Sequence, residues 1–344
     1  MKRIKLIIVC ILLLGSGVMT KAQKAVEYRI ANKIHIEGMG GWDYLTSDDA
    51  GSRLFVSHGM MVNVVDSKTG KLIGTIPDTK GVHGITLAYD LNKGYISCGR
   101  DSSVVVFDLQ TLKTLTKITV TGRNPDAILY DAFSKKVFVY NGRSSNATVI
   151  DAQTDKVVST IPLDGKPEFS VTDGNGKVYV NIEDKSMINV INATTLNVEQ
   201  HWTISPGEEP SGLALDNENH RLFSVCDKMM VVLDALTGKV ITSLPIGANV
   251  DGVAFDPMLK RVYSSNGEGT MTVVLEESKD NYKVVATVST QKGARTITVD
   301  KKTHHLYLPT AEFGDTPQAT ADNPRPRPMV KPNTFVVLDI EPIE

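Results

Sequence analysis

Arg53-Leu54-Phe55-Val56-Ser57 is a short apolar run, and Val62-Asn63-Val64-Val65-Asp66 follows it after a brief loop. The turn Ser67-Lys68-Thr69-Gly70-Lys71 then leads into Leu72-Ile73-Gly74-Thr75-Ile76. β-Branched residues in runs of strand length, interrupted by Asp and Gly, read as antiparallel strands joined by tight turns. A further short apolar strand and an Asp-containing turn precede Arg53, so the unit has four strands.

Outward from this stretch, the aromatic at Phe55 recurs at Tyr95, Phe138, Tyr179, Phe223, Tyr263 and Tyr307, at spacings of 40, 43, 41, 44, 40 and 44 residues. Four short strands every ~40 residues is a propeller blade. Seven copies predict an all-β, seven-bladed β-propeller with four-stranded blades. The last copy stops after Phe335-Val336-Val337-Leu338-Asp339 and lacks a fourth strand, whereas Tyr28 to Glu37 resembles a fourth strand without a blade. The N-terminal strand is therefore expected to close the seventh blade, making 23–344 one ring-shaped domain.

Composition agrees with that architecture. The 344 residues include 27 Gly but only 6 % aromatics, a balance that favours short strands and tight turns over long helices. Lys2, Arg3 and Lys5, the apolar run from Leu6 to Val18, and Thr20-Lys21-Ala22 read as a secretory signal over 1–22. The expected location is thus periplasmic or extracellular. Without that segment 33 basic residues face 39 acidic ones, a formal charge of −6, which argues against nucleic acid as a partner. No other run reaches the ~20 apolar residues of a membrane-spanning helix. Cys98 and Cys226 stand at the same place in two copies and read as separate buried thiols rather than a disulfide. A monomer is expected.

Acids that recur in blade after blade build turns. Asp66, Asp108, Asp151 and Asp234, each with a Thr three residues on, are read as turn makers whose carboxylates take nearby backbone N–H groups. The strands Phe138-Val139-Tyr140-Asn141, Tyr179-Val180-Asn181 and Tyr263-Ser264-Ser265-Asn266, with their Asp-x-x-Thr-Gly-Lys type turns, resemble the repeats of the YVTN (YncE-like) β-propellers. That resemblance implies the fold and blade count. It implies no single activity, since the family includes exported proteins without one and its relatives include lactonases.

Chemistry is sought where the copies differ. One position per blade, at the start of the innermost strand, holds Asp43, His83, Asp126, Glu168, Ser211, Asp251 or Arg295. These should ring the mouth of the central channel. Loops between second and third strands open on the same face and add His58, Arg100, Arg143, Glu183, Asp184, Asp227 and Glu268. Mixed charge at close quarters suits a polyhydroxylated or carboxylated ligand. In the seventh blade the corresponding loop, 309–333, runs about 25 residues, a length usual for a lid or binding segment. It carries Glu312, Arg325, Arg327 and Lys331, with prolines that hold the two arginines on a stiff path.

Three functions fit this pattern. The leading one is binding of a small polar or carbohydrate-like ligand, such as a sugar or surface glycan, or of a cell-surface partner. The second is an enzyme, a lactonase or polysaccharide lyase or hydrolase, with His83 or His58 carrying a proton and Arg143 or Arg295 steadying an oxyanion. The third is a protein-interaction scaffold. No nucleophile elbow or His-Glu-x-x-His motif is present, and no cofactor is expected; Asp43, Asp126, Glu168, Asp251 and His83 offer hard oxygen ligands plus an imidazole for a divalent cation at the mouth, with calcium or magnesium the expected form. Trp42 either stacks on a sugar ring or wedges between blades. His304 and His305 are expected at the surface of the opposite face.

Overall fold

The Asp-x-x-Thr turns are built as their sequence implies. Asp66 Oδ1 accepts from the Lys68 and Thr69 amides and the Thr69 hydroxyl, at 3.1, 2.7 and 2.8 Å. Asp108, Asp151 and Asp234 repeat the arrangement with Thr111, Thr154 and Thr237. Each such turn reverses the chain between the third and fourth strand of a blade. In the computed structural model, which describes residues 27–48, 50–320, 326 and 328–343, seven four-stranded antiparallel sheets result. The segment 1–22, Arg325 and Arg327 lie outside the described residues.

Blade 1 runs from axis to rim as Leu45–Asp48, Arg53–His58, Met61–Asp66 and Leu72–Ile76, and blades 2 to 6 follow the same order. Blade 7 contributes Thr298–Val299, Leu306–Thr310 and Val336–Ile343. Its rim strand is the N-terminal Glu27–His35, paired antiparallel from Glu27↔Ile343 to His35↔Val336. The ring is thus closed as the sequence implied, with no unpaired edge between first and last blades.

The repeated aromatics are all at most 2 % exposed and fill the seams between blades. Phe55 of blade 1 lies 5.7 Å from Phe107 of blade 2, in a cluster with Val64, Ile96 and Val105. Where the repeat carries tyrosine, the hydroxyl reaches the next blade: Tyr95 to the Ala152 carbonyl at 3.1 Å and Tyr179 to the Ala235 carbonyl at 2.9 Å. These buried hydroxyls are satisfied across the seam, so each blade fixes its neighbour's position. Cys98 and Cys226 are free and buried, and burial pushes each thiol up to about 12. No described helix is long and apolar enough to cross a membrane.

Two expectations are corrected. Pro309 belongs to the strand Leu306–Thr310, opposite Val337, so the long loop begins after Thr310. That loop is pinned at its base by a Phe313↔Val330 bridge and by Lys331 N donating to Glu312 O at 2.8 Å. His304 and His305 are half-buried rather than free at the surface. Their Nδ1 atoms lie 2.6 Å from Asp256 and Asp339, tying the last turn to neighbouring strands.

Candidate functional site

Three local devices aim the ring side chains into the mouth. Two residues ahead of most ring positions the backbone is left-handed: Gly81, Asn124, Glu209, Asn249 and Gly293 have φ of 64°, 57°, 50°, 57° and 86°. Gly and Asn tolerate this conformation best, and it swings the chain from the rim toward the axis. The carbonyls of Gly41, Gly81, Asn124, Lys166 and Asn249 then accept from Gly59, Gly99, Gly142, Glu183 and Gly267, so each leading loop is tied to the loop after the second strand. The inner ladders are also irregular at this point, with shifts between Val82 and Ile85, Pro125 and Ile128, Pro167 and Ser170, and Val250 and Gly252. Such bulges turn a side chain off the regular alternation.

Buried polar residues of the second strands complete the mounting. Ser97 Oγ donates to the Asp126 carbonyl, Asn181 Nδ2 to the Ser211 carbonyl at 3.0 Å, and Ser265 Oγ to the Arg295 carbonyl at 2.5 Å. Each bond crosses to the next blade. Below the ring the channel walls turn apolar, with Leu45, Ile85, Leu129, Phe169, Val253 and Phe255 around a 460 Å³ cavity. Thr46, Ser47, Thr172, Thr298 and Lys301 add polar groups to the same walls.

At the mouth, five of the seven ring residues form a connected chain. His83 Nδ1 lies 2.6 Å from Asp43 Oδ2 and 3.6 Å from Asp126 Oδ1. Arg295 approaches Asp43 Oδ1 at 3.3 Å and also pairs with Asp251. Burial opposes a charged His83 imidazole, but its hydrogen bond to the Asp43 carboxylate and the charges of Asp126 and Asp43 prevail and raise its pKa. Burial, with Asp126, Asp43 and Glu168 nearby, holds the Tyr44 phenol well above its usual range.

Glu168 stands apart, with Lys166 at 2.7 Å; Lys166 also pairs with Glu183. At 8 % exposure, burial and the Asp126 charge push the Glu168 carboxyl up to about 7 despite Lys166. The Lys166 amine is shifted up by the same pairs, so the two partners point in different directions. The more exposed Glu183 secures the lysine's charge, while Glu168 bears the burial. A carboxyl raised in the fold stabilises it below the unfolded value near 4.5, and that contribution is lost as pH rises through about 7. Glu168→Gln should therefore be more stable than the parent chain by roughly 1–3 kcal/mol at pH 8 and should match it at pH 4.5. Thermal melts at both pH values check this, and a stability gap that widens toward low pH would contradict it.

A 700 Å³ cleft of the mouth lies over blades 1 to 3, with Arg295 of blade 7 at its side. It is lined by Arg100, Arg123, Arg143 and Arg295, with His83, Asp43 and Trp42. Four guanidiniums to one carboxylate make the cleft basic, although the ring itself holds four carboxylates. Arg295 is held by two acids, but Arg100, Arg123 and Arg143 are exposed and have no ion-pair partner among the described residues. Trp42 serves as a wedge: its ring packs 5.2 Å from Phe335 and 6.0 Å from Phe313 of the long loop while its edge lines the cleft.

Other candidates are placed elsewhere. His58 is 3 % exposed and stacked 4.3 Å from Phe335, away from the cleft. That burial lowers its pKa. Glu268 accepts from the Thr270 hydroxyl at 3.0 Å, and Glu312 pairs with Lys331 at 3.1 Å within the long loop. Neither lines the cleft, nor do Glu183 and Asp251.

Sequence reading missed Arg123, Asn124 and Lys166. They stand two or three residues ahead of the ring positions, and aligning the leading loops as well as the strands would have brought them out.

The fold is similar to that of solved structures. "Kuenenia stuttgartiensis Hydrazine Synthase" contains a chain 17 % identical to this one, with a TM-score of 0.70, covering 86 % of this chain and 97 % of that one. "Crystal Structure of Mitotic Checkpoint Complex" contains one 11 % identical, with a TM-score of 0.67, covering 89 % and 95 %. At such identities the likeness is one of fold alone. No curated protein matches the chain. The profile of the family described as "Domain of unknown function (DUF5074)" matches residues 39–212, just over half of the sequence, and the chain belongs to that family.

Proposed function

We infer that this is an exported, YncE-like propeller whose cleft over blades 1 to 3 binds a small polar ligand bearing carboxylates, such as a sugar acid. The observation that carries this reading is the trio Arg100, Arg123 and Arg143, converging on a 700 Å³ cleft without ion-pair partners among the described residues. Like charges held together repel one another, and an anion relieves that repulsion while meeting the bidentate fork of each guanidinium. The volume falls within the ~300–1,000 Å³ common for small-molecule sites. Trp42 adds one aromatic edge beside the charges.

Thermal denaturation with glucuronate, galacturonate and glucose tests this. The two acids should raise the melting temperature in a saturable way that fades with added salt, and glucose should not. An equal rise with glucose, or none with either acid, would overturn the charge-based reading. A second reading, acid–base catalysis, is favoured by the 2.6 Å His83–Asp43 pair beside the arginines. Turnover of a uronic-acid oligomer or a lactone by the purified protein, abolished by His83→Gln, would establish it.

A further inference from the structure

We propose that Asp43, His83 and Asp126 form a binding site for a transition-metal ion, with Zn²⁺ as the representative. The three side chains come from consecutive blades, and one ligand atom of each lies within 4.8 Å of the others. His83 Nδ1 occupies the middle, 2.6 Å from Asp43 Oδ2 and 3.6 Å from Asp126 Oδ1. Donors bound at ~2.1 Å around a tetrahedral ion stand roughly 3.4 Å apart, so the metal is admitted by opening the His83–Asp43 contact by under ~1 Å, closing the His83–Asp126 one slightly, and drawing in the two carboxylates, which lie within 4.8 Å of each other.

The surroundings hold the set in place. Asp43 N donates to Ser57 Oγ at 2.9 Å, and the Asp43 carbonyl accepts from the Thr296 hydroxyl at 2.7 Å. Arg295 contacts Oδ1 of Asp43, leaving Oδ2 to face the imidazole. This is the outer-shell orientation that metal-binding carboxylates require. A Cβ on Gly99 would meet His83 Nε2 at 2.8 Å, so that side of the ring is closely walled and Nδ1 is the nitrogen presented to the acids. His83 and Asp126 stand at the starts of strands and Asp43 two residues ahead of one, close to a stiff framework.

A central imidazole decides the class of ion. Calcium and magnesium take oxygen sets, whereas one nitrogen with two carboxylates suits Zn²⁺ and its neighbours. Two carboxylates also match the ion's charge. His83 and Asp43 both line the arginine cleft, so an open coordination position would face whatever occupies it. The site does not depend on the sugar-acid reading, because the metal alone is the probe.

Isothermal titration of Zn²⁺ into the purified, otherwise ligand-free protein should show one tight site per chain, with Ca²⁺ binding at least ~100-fold more weakly. Asp126→Asn and His83→Gln should each weaken Zn²⁺ by at least ~10-fold. His201→Gln, which removes an exposed His–Asp pair on the rim of blade 4, should leave the affinity unchanged. If His83→Gln fails to fold by circular dichroism, the visible absorption of bound Co²⁺, expected to change in Asp126→Asn, carries the test. The proposal is overturned by an absence of binding up to about 1 mM, by Ca²⁺ equal to Zn²⁺, or by Zn²⁺ binding intact in both ligand variants.

Discussion

Replacing Arg100, Arg123 and Arg143 together by alanine should lower affinity for a carboxylated ligand about 1,000-fold while leaving the melting temperature within a few degrees of the parent. Each charge-assisted hydrogen bond contributes about 1.5–3 kcal/mol, and three sharing one ligand are less than additive, so a combined loss near 4 kcal/mol is expected. Stability should hardly change because all three side chains are exposed and make no ion pair among the described residues. Removing three crowded positive charges even relieves repulsion. Calorimetric titration of glucuronate, with a parallel melt, reads both quantities. An affinity within threefold of the parent would place ligand binding elsewhere on the molecule.

Removing the closing strand, by beginning the chain at Ile36, should cost most of the stability typical of a folded domain, ~5 kcal/mol or more. Eight residue pairs join Glu27–His35 to Val336–Ile343, and without them an apolar central strand becomes a bare edge. Ile34, only 2 % exposed, packs with Leu54, Val65, Tyr307 and Val337 across the junction of blades 7 and 1. Burying one such side chain contributes about 2 kcal/mol. Ile34→Asp, which places an unpaired charge in that cluster, should show ~3 kcal/mol of the loss with one substitution. Urea unfolding and size-exclusion chromatography check both variants. A shortened chain that stays monomeric and melts within 5 °C of the parent would mean that the ring is held by its seams alone.

The fold was legible because its signals are local and repeated. Phe55 and its six counterparts mark the blades, the Asp-x-x-Thr turns mark strand reversals, and a missing fourth strand at one end matched a spare one at the other. The ring of mouth residues could be found the same way. Its electrostatics could not, because they depend on pairing across blades. Arg295 satisfies Asp43 and Asp251, and Lys166 takes Glu168 and Glu183, so much of the acidity is internally matched. The unmatched charge that remains belongs to arginines, one of which, Arg123, lies in a leading loop that strand alignment skips. His58 was misread for a similar reason: its loop position suggested solvent, but Phe335, nearly 280 residues further along the chain, stacks over it. Contacts of that range leave no mark on either segment.

The pairing Glu27↔Ile343 puts the two ends of the described chain side by side at the foot of blade 7, on the side away from the arginines. A linker, affinity tag or solid support attached at either end would therefore grip the underside and leave the binding surface pointing outward. Immobilised through either terminus, the protein should capture ligand from solution as freely as it does untethered.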